Sequence, residues 1–292
     1  MIASPCIGVC EYDAATGYCR GCGRSEAEIG GWRAGGEVWR RAVWEELPGR
    51  LRALGVGLRR PAWTAEDIRA FVRETMAAGG TWVLGCHGAS AEFVAAGCAV
   101  SDDGDAVVAT APGGALRLAI GETTRAIQVH DPEGDGVRAV ILALHRSRLA
   151  LPVASGLTEI GPDHAAIDPA RRGEVLFDLG LGRTATRFMV RVAEPALAAR
   201  LRGLAGAPLG EVLAAAGAAI VEAGPTRVVE TGIGRAEIGT PIPPPGGRSP
   251  EGPHTHLLPD LLALGHDLPP GIDLPEAYVP AATFHGTAGS RR

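Results

Sequence analysis

The sequence contains no lysine, no asparagine and a single glutamine, Gln128. All 28 basic residues are therefore arginine. We attribute this to a bias toward GC-rich codons. Arginine stands at every basic position, including those where its ability to donate two parallel hydrogen bonds offers no advantage over lysine. Without lysine, neither Schiff-base chemistry nor a P-loop lysine can operate in this chain.

Long hydrophobic runs are also missing. No apolar stretch reaches the roughly 18 residues at which a transmembrane helix is predicted. Residues 1–6 lack the basic and apolar segments of a signal peptide. We therefore expect a cytoplasmic protein with no membrane segment, in which six cysteines are metal ligands or buried thiols rather than disulfides.

The bulk composition is that of a globular protein. Of the 292 residues, 46% are apolar and 21% are charged, and this length suits about two domains. The net charge of −5 argues against a protein that binds nucleic acid with its whole surface. Turns and irregular loops should be frequent, because the chain has 42 glycines and 22 prolines.

Four cysteines are concentrated near the N-terminus. Cys6, Cys10, Cys19 and Cys22 follow the pattern C-x3-C-x8-C-x2-C. Two closely spaced thiolate pairs supply the four soft donors that Zn2+ or an iron–sulfur cluster requires. Charge does not choose between these metals, because four thiolates give the same formal charge of −2 with Zn2+ as with an oxidised two-iron or four-iron cluster.

Short helices should surround the cysteines. Ser25 and Glu28 fit a capping box, so a helix is predicted to begin there. Trp39, Val43 and Leu47 form an apolar stripe that predicts a second helix over about 37–47, kinked or restarted at Pro48. We expect this stripe to pack on the metal loop, and the metal to supply much of the folding energy of so small a unit.

The cysteine segment resembles a known family. The residues that carry the resemblance are Ser4–Cys10, Cys19–Ser25, Glu28–Ile29, Trp32, Leu47–Pro48 and Arg50. Over roughly residues 3–55 the chain is similar to the small bacterial domain of unknown function 1289 (DUF1289), described as a predicted iron–sulfur protein. The resemblance implies that Cys6, Cys10, Cys19 and Cys22 hold a cluster, and it implies no particular reaction.

A second interpretation of the same region remains open. Residues 33–60 contain seven arginines and three glutamates, interleaved with Trp39 and Trp44. The arginine side chains of such a segment can bind phosphates, and its tryptophan rings can stack on bases. The alternative to an iron–sulfur protein is thus a module that is stabilised by a bound zinc ion and whose arginine-rich helix binds nucleic acid or a protein partner.

A second domain is predicted after a linker near residues 54–64. Thr64 and Asp67 signal a helix start. From residue 92 to 192, short apolar runs alternate with glycine, proline and aspartate turns, as in an antiparallel sheet. Helices over 195–203 and 209–216 and strands near Ile220, Val228 and Ile238 should follow. The sheet and the tail resemble a second uncharacterised bacterial domain, from which no site residue is carried over.

The tail from about residue 241 is proline-rich and is expected to be irregular, with an extended stretch at Pro241, Pro243, Pro244 and Pro245. His254 and His256 lie in it at a spacing that places both on one side of an extended backbone, and they could reach one metal ion. An enzyme site combining this pair with Arg183 or Arg235, each in a Gly-x-Gly-Arg turn, is a further alternative.

The remaining patterns are weak. Asp131, Glu133 and Asp135 alternate like calcium ligands, but the glutamate required at the twelfth position is absent. Cys86 follows a strand-like apolar segment and is expected to be a buried thiol rather than a nucleophile, whereas Cys98 has no assigned role. No nucleophile–base pattern is evident, so no catalytic residue is assigned.

The sequence therefore predicts a mixed α+β protein of two parts. Residues 1–56 form a four-cysteine metal module with short helices, and residues 64–292 form a larger domain with a mainly antiparallel sheet. An iron–sulfur cluster, with Zn2+ as the alternative, would serve electron transfer, redox or iron sensing, or structural stabilisation, together with a redox or protein partner.

Overall fold

The computed structural model describes residues 2–131, 136–243 and 247–286. It combines helices with two antiparallel sheets, and the cysteine-rich segment stands at its N-terminus. The mixed α+β class predicted from the sequence is confirmed.

The helices and strands follow in chain order. The α-helices are α1 (Glu26–Gly31), α2 (Glu37–Ala53), α3 (Ala65–Ala77), α4 (Pro195–Arg202), α5 (Leu209–Ala223) and α6 (Pro259–Ala263). The strands are β1 (Leu58–Arg59), β2 (Thr81–Cys86), β3 (Ala89–Val94), β4 (Ala99–Asp103), β5 (Ala106–Ala111), β6 (Gly114–Ala119), β7 (Arg125–His130), β8 (Val137–His145), β9 (Thr158–Pro162), β10 (Val175–Asp178), β11 (Thr186–Val192), β12 (Thr226–Thr231), β13 (Gly234–Ile238), β14 (His254–Leu257) and β15 (Tyr278–His285).

The strands form two sheets. Seven strands pair in the order β1-β7-β8-β15-β2-β3-β14, and eight pair in the order β4-β5-β6-β13-β12-β11-β10-β9. Neighbouring strands run antiparallel, as the short turns between the apolar runs predicted.

The main core lies between the two sheets. Buried and half-exposed residues alternate along β2 and β3, as expected for strands with one face in the core. These strands contact β11, β12 and β13 of the other sheet. Trp82, Phe93 and Phe188 are the large buried side chains at this contact, so the sandwich depends on apolar burial from both sheets.

Helix α3 begins where the sequence predicted. The Thr64 hydroxyl accepts a hydrogen bond from the backbone N–H of Asp67, and the Asp67 carboxylate accepts one from the backbone N–H of Thr64. This reciprocal cap satisfies two amides that the helix itself cannot pair. The buried side of α3 carries Ile68, Val72 and Met76 into the main core.

Two helices are longer than predicted. Helix α2 continues through Pro48 to Ala53, with Leu51 buried one turn beyond Leu47. Helix α5 ends at Gly224, which has the left-handed backbone of a helix C-cap. The strand predicted near Ile220 is therefore wrong, because Val212, Ala216 and Ile220 share one buried helical face at a spacing of four residues.

The C-terminal segment is largely irregular, but it also contributes two strands that the sequence did not reveal. Strand β14 pairs with β3 at the edge of the seven-stranded sheet, and β15 lies inside the sheet between β8 and β2. The predicted linker likewise contains β1, which pairs with β7. The predicted antiparallel region opens, at residues 92–100, with the end of β3, a turn and the start of β4.

Some predictions fall outside the described residues. Glu133 and Asp135 of the rejected calcium pattern lie there, and so do Pro244 and Pro245 of the extended stretch.

In the part of the chain that the structure describes, no helix has both the length and the apolar composition needed to cross a membrane.

Truncation of Met76 tests the contribution of α3 to the core. Met76 is fully buried, so Met76→Ala should lower the free energy of unfolding by about 2–5 kcal/mol, measured by denaturant titration. Glu74→Ala, on the exposed side of the same helix, should change it by less than about 0.5 kcal/mol. Equal effects of the two substitutions would contradict this packing.

Candidate metal centre

A tight turn holds two of the four cysteines. The Cys19 carbonyl accepts hydrogen bonds from the backbone N–H of Cys22 at 3.3 Å and of Gly23 at 2.7 Å. Gly23 has φ +72°, and a Cβ there would lie 3.2 Å from the Leu51 side chain. A glycine is thus required both by the backbone conformation and by the close approach of α2. This turn contains two of the four cysteines that the sequence predicts as metal ligands.

The four thiols act on one another electrostatically. The negative charge of Cys6 is the main cause that raises the pKa of Cys10, followed by burial and by Cys19. Burial raises the pKa of Cys22, with a smaller contribution from Cys19 and against the lowering effect of Arg24. Cys10 thus lies near one cysteine from each half of the motif, Cys6 and Cys19. Cys19 and Cys22 are buried, whereas Cys10 is exposed.

Hydrogen-bond donors point at two of the sulfurs. The Cys6 Sγ accepts from the backbone N–H of Gly8, and the Cys22 Sγ accepts from the Arg24 Nε, each at 3.4 Å. The Arg24 guanidinium is buried and lies 4.8 Å from the centre of the Trp32 ring. Its position compensates thiolate charge inside the module, where water cannot.

Cys10 adopts φ +51°. For a residue with a Cβ this left-handed conformation is unfavourable, and it persists where surrounding structure imposes it. The strain therefore falls on one of the four candidate ligands.

One ion pair connects the knuckle to both helices. Arg50 of α2 donates to the two carboxylate oxygens of Glu28 at 2.7 and 3.1 Å, and to the Gly23 carbonyl at 3.2 Å. Glu28 also accepts from the backbone N–H of Ser25 at 2.8 Å, which completes the predicted capping box. Arg50 thus fixes α1, α2 and the cysteine turn relative to one another.

The module has a small core of its own. Trp32, Val43, Trp44 and Leu47 are buried together, with Ile2 beside them. The Trp44 Nε1–H donates to the Ala3 carbonyl at 3.0 Å, which ties the irregular N-terminal segment to α2. Of the predicted stripe, Leu47 lies against Gly23 of the cysteine turn and Val43 is buried, whereas Trp39 is exposed. So few buried side chains give limited stability by themselves.

The module also contacts the larger domain. Arg60 donates to the carbonyls of Ser4 and Cys6, and its burial lowers its pKa to about 10. Gly8 lies against Ala277, since a Cβ at Gly8 would be 3.6 Å from the Ala277 Cβ. The cysteine loop is therefore held against the segment that leads into β15.

The arginine-rich segment makes many internal contacts. Arg40 donates to the carbonyls of Trp32 and Arg33, Arg59 donates to that of Val56, and Arg50 and Arg60 are engaged as described. Trp44 is buried, and Trp39 packs on Trp32 with ring centres 5.8 Å apart. These contacts leave fewer groups for phosphates and bases than the composition suggested, which weakens the nucleic-acid alternative.

The histidine pair lies at the edge of the seven-stranded sheet. The Nε2 atoms of His254 and His256 are 3.0 Å apart, and each lies 3.9 Å from the Glu92 Oε2. Burial, followed by the charge of His254, lowers the pKa of His256 from 6.5. Its imidazole is therefore mainly neutral at pH 7, which is the form that binds metals.

Sequence reasoning missed Glu92, although it lies in an apolar run that predicted a strand. No local motif links it to the histidines, which follow more than 160 residues later. The link is the register of β3 and β14, in which Glu92 stands opposite His254.

The two arginines proposed to join the histidine pair are engaged elsewhere. Arg183 donates to the carbonyls of Gly265 and His266 at 2.8 and 3.1 Å. Arg235 belongs to the other sheet, where it pairs with Asp163 and Glu237. Arg235 therefore does not join the histidine pair, whereas Arg183 lies beside Cys86, which lines the same cavity as His256.

The two isolated cysteines have raised pKa values. Burial is the main cause for both Cys86 and Cys98. A raised pKa disfavours the reactive thiolate. Cys86 is thus a buried thiol, as the sequence indicated.

The Glu28–Arg50 pair gives the module a pH dependence. Partial burial alone would raise the pKa of Glu28, but hydrogen bonds from Arg50 and Ser25 outweigh it and lower the pKa below 4.5. Its stabilisation is therefore present above about pH 4.5 and is lost as pH falls through the lowered value.

Glu28→Gln should lower the free energy of unfolding by roughly 1 kcal/mol at pH 7. The difference from the native chain should shrink below pH 4.5, as measured by thermal unfolding between pH 7 and pH 3. Glu45→Gln, an exposed carboxylate of α2, is the matched control and should show no such trend. A difference that stays constant across this range would contradict the assignment.

Comparison with known proteins identifies two families. Residues 67–291 match the model of a family of unknown function (DUF6925), and residues 4–51 match that of another family of unknown function (DUF1289). The resemblance of the cysteine segment to DUF1289 is thus confirmed. Neither the curated proteins nor the solved structures gave a match. The DUF6925 match covers most of the chain, whereas the DUF1289 match covers a short segment before it. The chain therefore belongs to the DUF6925 family, with a DUF1289 segment preceding that domain.

Proposed function

We propose that the N-terminal module binds an iron–sulfur cluster through Cys6, Cys10, Cys19 and Cys22, and that the protein uses it in electron transfer or in redox or iron sensing. The observation that carries this proposal is the buried Arg24, which donates to the Cys22 sulfur in a module where Cys10 lies near both Cys6 and Cys19. The match of residues 4–51 to DUF1289 supports it.

The donor set fits such a cluster. Four cysteine thiolates are the usual ligands of two-iron and four-iron clusters, which accept and release one electron at a time. Net charge and hydrogen bonds to the sulfurs set the reduction potential. In this chain those contributions come from Arg24, the backbone N–H of Gly8 and the burial of Cys19 and Cys22.

A single zinc ion requires a tighter arrangement of the sulfurs than the structure shows. Tetrahedral Zn2+ with bonds of about 2.3 Å needs sulfurs about 3.8 Å apart. Among the described residues, the one group of three cysteine, histidine or carboxylate donors within 4.8 Å of one another contains no cysteine. No three of the four sulfurs are this close to one another, so binding of a single zinc ion would require the cysteine loop to rearrange.

The same site would also stabilise the module. Its own core consists of four buried side chains, and metal binding adds free energy to the folded state when the unfolded chain has no preformed site. The contact of the cysteine loop with Ala277 and Arg60 would transmit a change in the module to the sheet.

Replacement of ligands tests the cluster directly. The full chain, purified anaerobically, should be brown and contain iron and acid-labile sulfide, and the double variant Cys19→Ser, Cys22→Ser should lose nearly all of both. Cys98→Ser, outside the module, is the matched control and should keep them. Colourless protein with one zinc per chain would overturn the iron–sulfur assignment.

Replacement of Arg24 tests its effect on the potential. Arg24→Gln removes a buried positive charge beside the Cys22 sulfur, so the reduction potential should become more negative in an anaerobic redox titration. Arg20→Gln is the control, since Arg20 lies as close in sequence but pairs with Asp13 at 2.9 Å. An unchanged potential in Arg24→Gln with an intact cluster would refute this role.

A further inference from the structure

Three metal-binding side chains share one face of the seven-stranded sheet. His254 stands directly opposite Glu92 in the pairing of β14 with β3, and His256 stands opposite Ser90. Side chains two residues apart on a strand, or directly opposite on neighbouring strands, point to the same face. The register thus brings together residues that are more than 160 positions apart in the chain.

The donor atoms are close enough to bind one ion. The two Nε2 atoms are 3.0 Å apart, and metal–ligand bonds of about 2.1 Å place neighbouring donors roughly 3.0–3.4 Å apart. The distances of 3.9 Å to the Glu92 Oε2 are slightly longer. The Glu92 side chain is 35% exposed, so a small rotation can close this difference.

The tautomer of His254 is set for coordination. Its Nδ1 lies 2.9 Å from the Gly252 carbonyl oxygen, which can only accept a hydrogen bond, so the Nδ1 carries the proton. The neutral ring then has its lone pair on Nε2, the atom that faces His256 and Glu92. A backbone carbonyl behind a ligating histidine fixes ring orientation in this way at known metal sites, and His254 is buried.

We propose that Glu92, His254 and His256 bind one divalent transition-metal ion. Two imidazole nitrogens and one carboxylate oxygen suit Zn2+, Fe2+ and Mn2+, which bind nitrogen and oxygen ligands together. Without an ion, the two Nε2 atoms share one proton in a hydrogen bond. A bound ion would take the place of that proton. This site is independent of the cysteine module, with which it has no residue in common.

The proposed site borders a cavity. Three protein ligands leave at least one position for water, as in catalytic rather than structural metal sites. His256 also lines a cavity of about 240 Å³, together with Ser90, Thr283 and His285. A small ligand with an oxygen donor therefore has space beside the ion.

Binding of Mn2+ to the full chain tests the site. Mn2+ suits carboxylate and water ligands, whereas thiolates select softer metals, so the cysteine module does not compete. The concentration of free Mn2+ is read from its electron paramagnetic resonance spectrum during titration. We expect one Mn2+ per chain, displaced by a lower concentration of Zn2+, which binds such ligands more tightly.

Variants separate a metal site from a hydrogen-bonded histidine pair. Glu92→Gln keeps the shape of the side chain, and His256→Ala changes a partly exposed residue. Each should weaken Mn2+ binding at least tenfold while leaving the unfolding temperature near that of the native chain. His164→Ala, an exposed histidine elsewhere, is the control and should bind normally.

The cysteine variant Cys19→Ser, Cys22→Ser should also bind Mn2+ normally, which keeps this result separate from the fate of the cluster. Absence of Mn2+ binding by the full chain would overturn the proposal. So would equal binding by the native chain, Glu92→Gln and His256→Ala.

Discussion

The seven-stranded sheet depends on the pairing of its last strand. Residues 278–285 lie between β8 and β2, and their backbone hydrogen bonds join the half that contains β7 and β8 to the half that contains β2 and β3. The chain reaches this position by crossing the outer face, where Leu268, Ile272 and Leu274 cover the apolar side chains of β7 and β8. Without this strand, two long edges of unpaired backbone groups would face water.

The same sheet carries both candidate metal centres, at different places. The cysteine module is joined to one edge through β1 and touches the start of β15, whereas Glu92, His254 and His256 lie at the opposite edge. Six strand spacings separate the edges, a distance of roughly 29 Å. The two centres therefore share no ligand, and any coupling between them would pass through the sheet and its core.

Local signals in the sequence gave reliable predictions. The capping residues of α1 and α3 could be predicted, because each cap depends on contacts within a few residues. The wrong or missing predictions concern segments in which no local sequence pattern identifies the helix or strand. Ile220 lies in an alanine-rich apolar run that suits a strand or a helix, and only its packing with Val212 and Ala216 makes it helical. Residues 278–285 include strand-favouring Tyr278, Val279, Thr283 and Phe284. Pro280 and two alanines interrupt them, so the local pattern did not identify a strand.

The sequence by itself determined the chemistry available to this protein: four thiols at metal-binding spacing, guanidinium as the sole long cationic side chain and a pair of histidines two residues apart. The tertiary structure decided which of these groups meet. It brought Glu92 to the histidines through strand register, and it directed Arg183 and Arg235 to other partners. The reason is that short-range motifs are fixed by local backbone geometry, whereas the meeting of distant side chains depends on sheet register and on the burial of apolar faces.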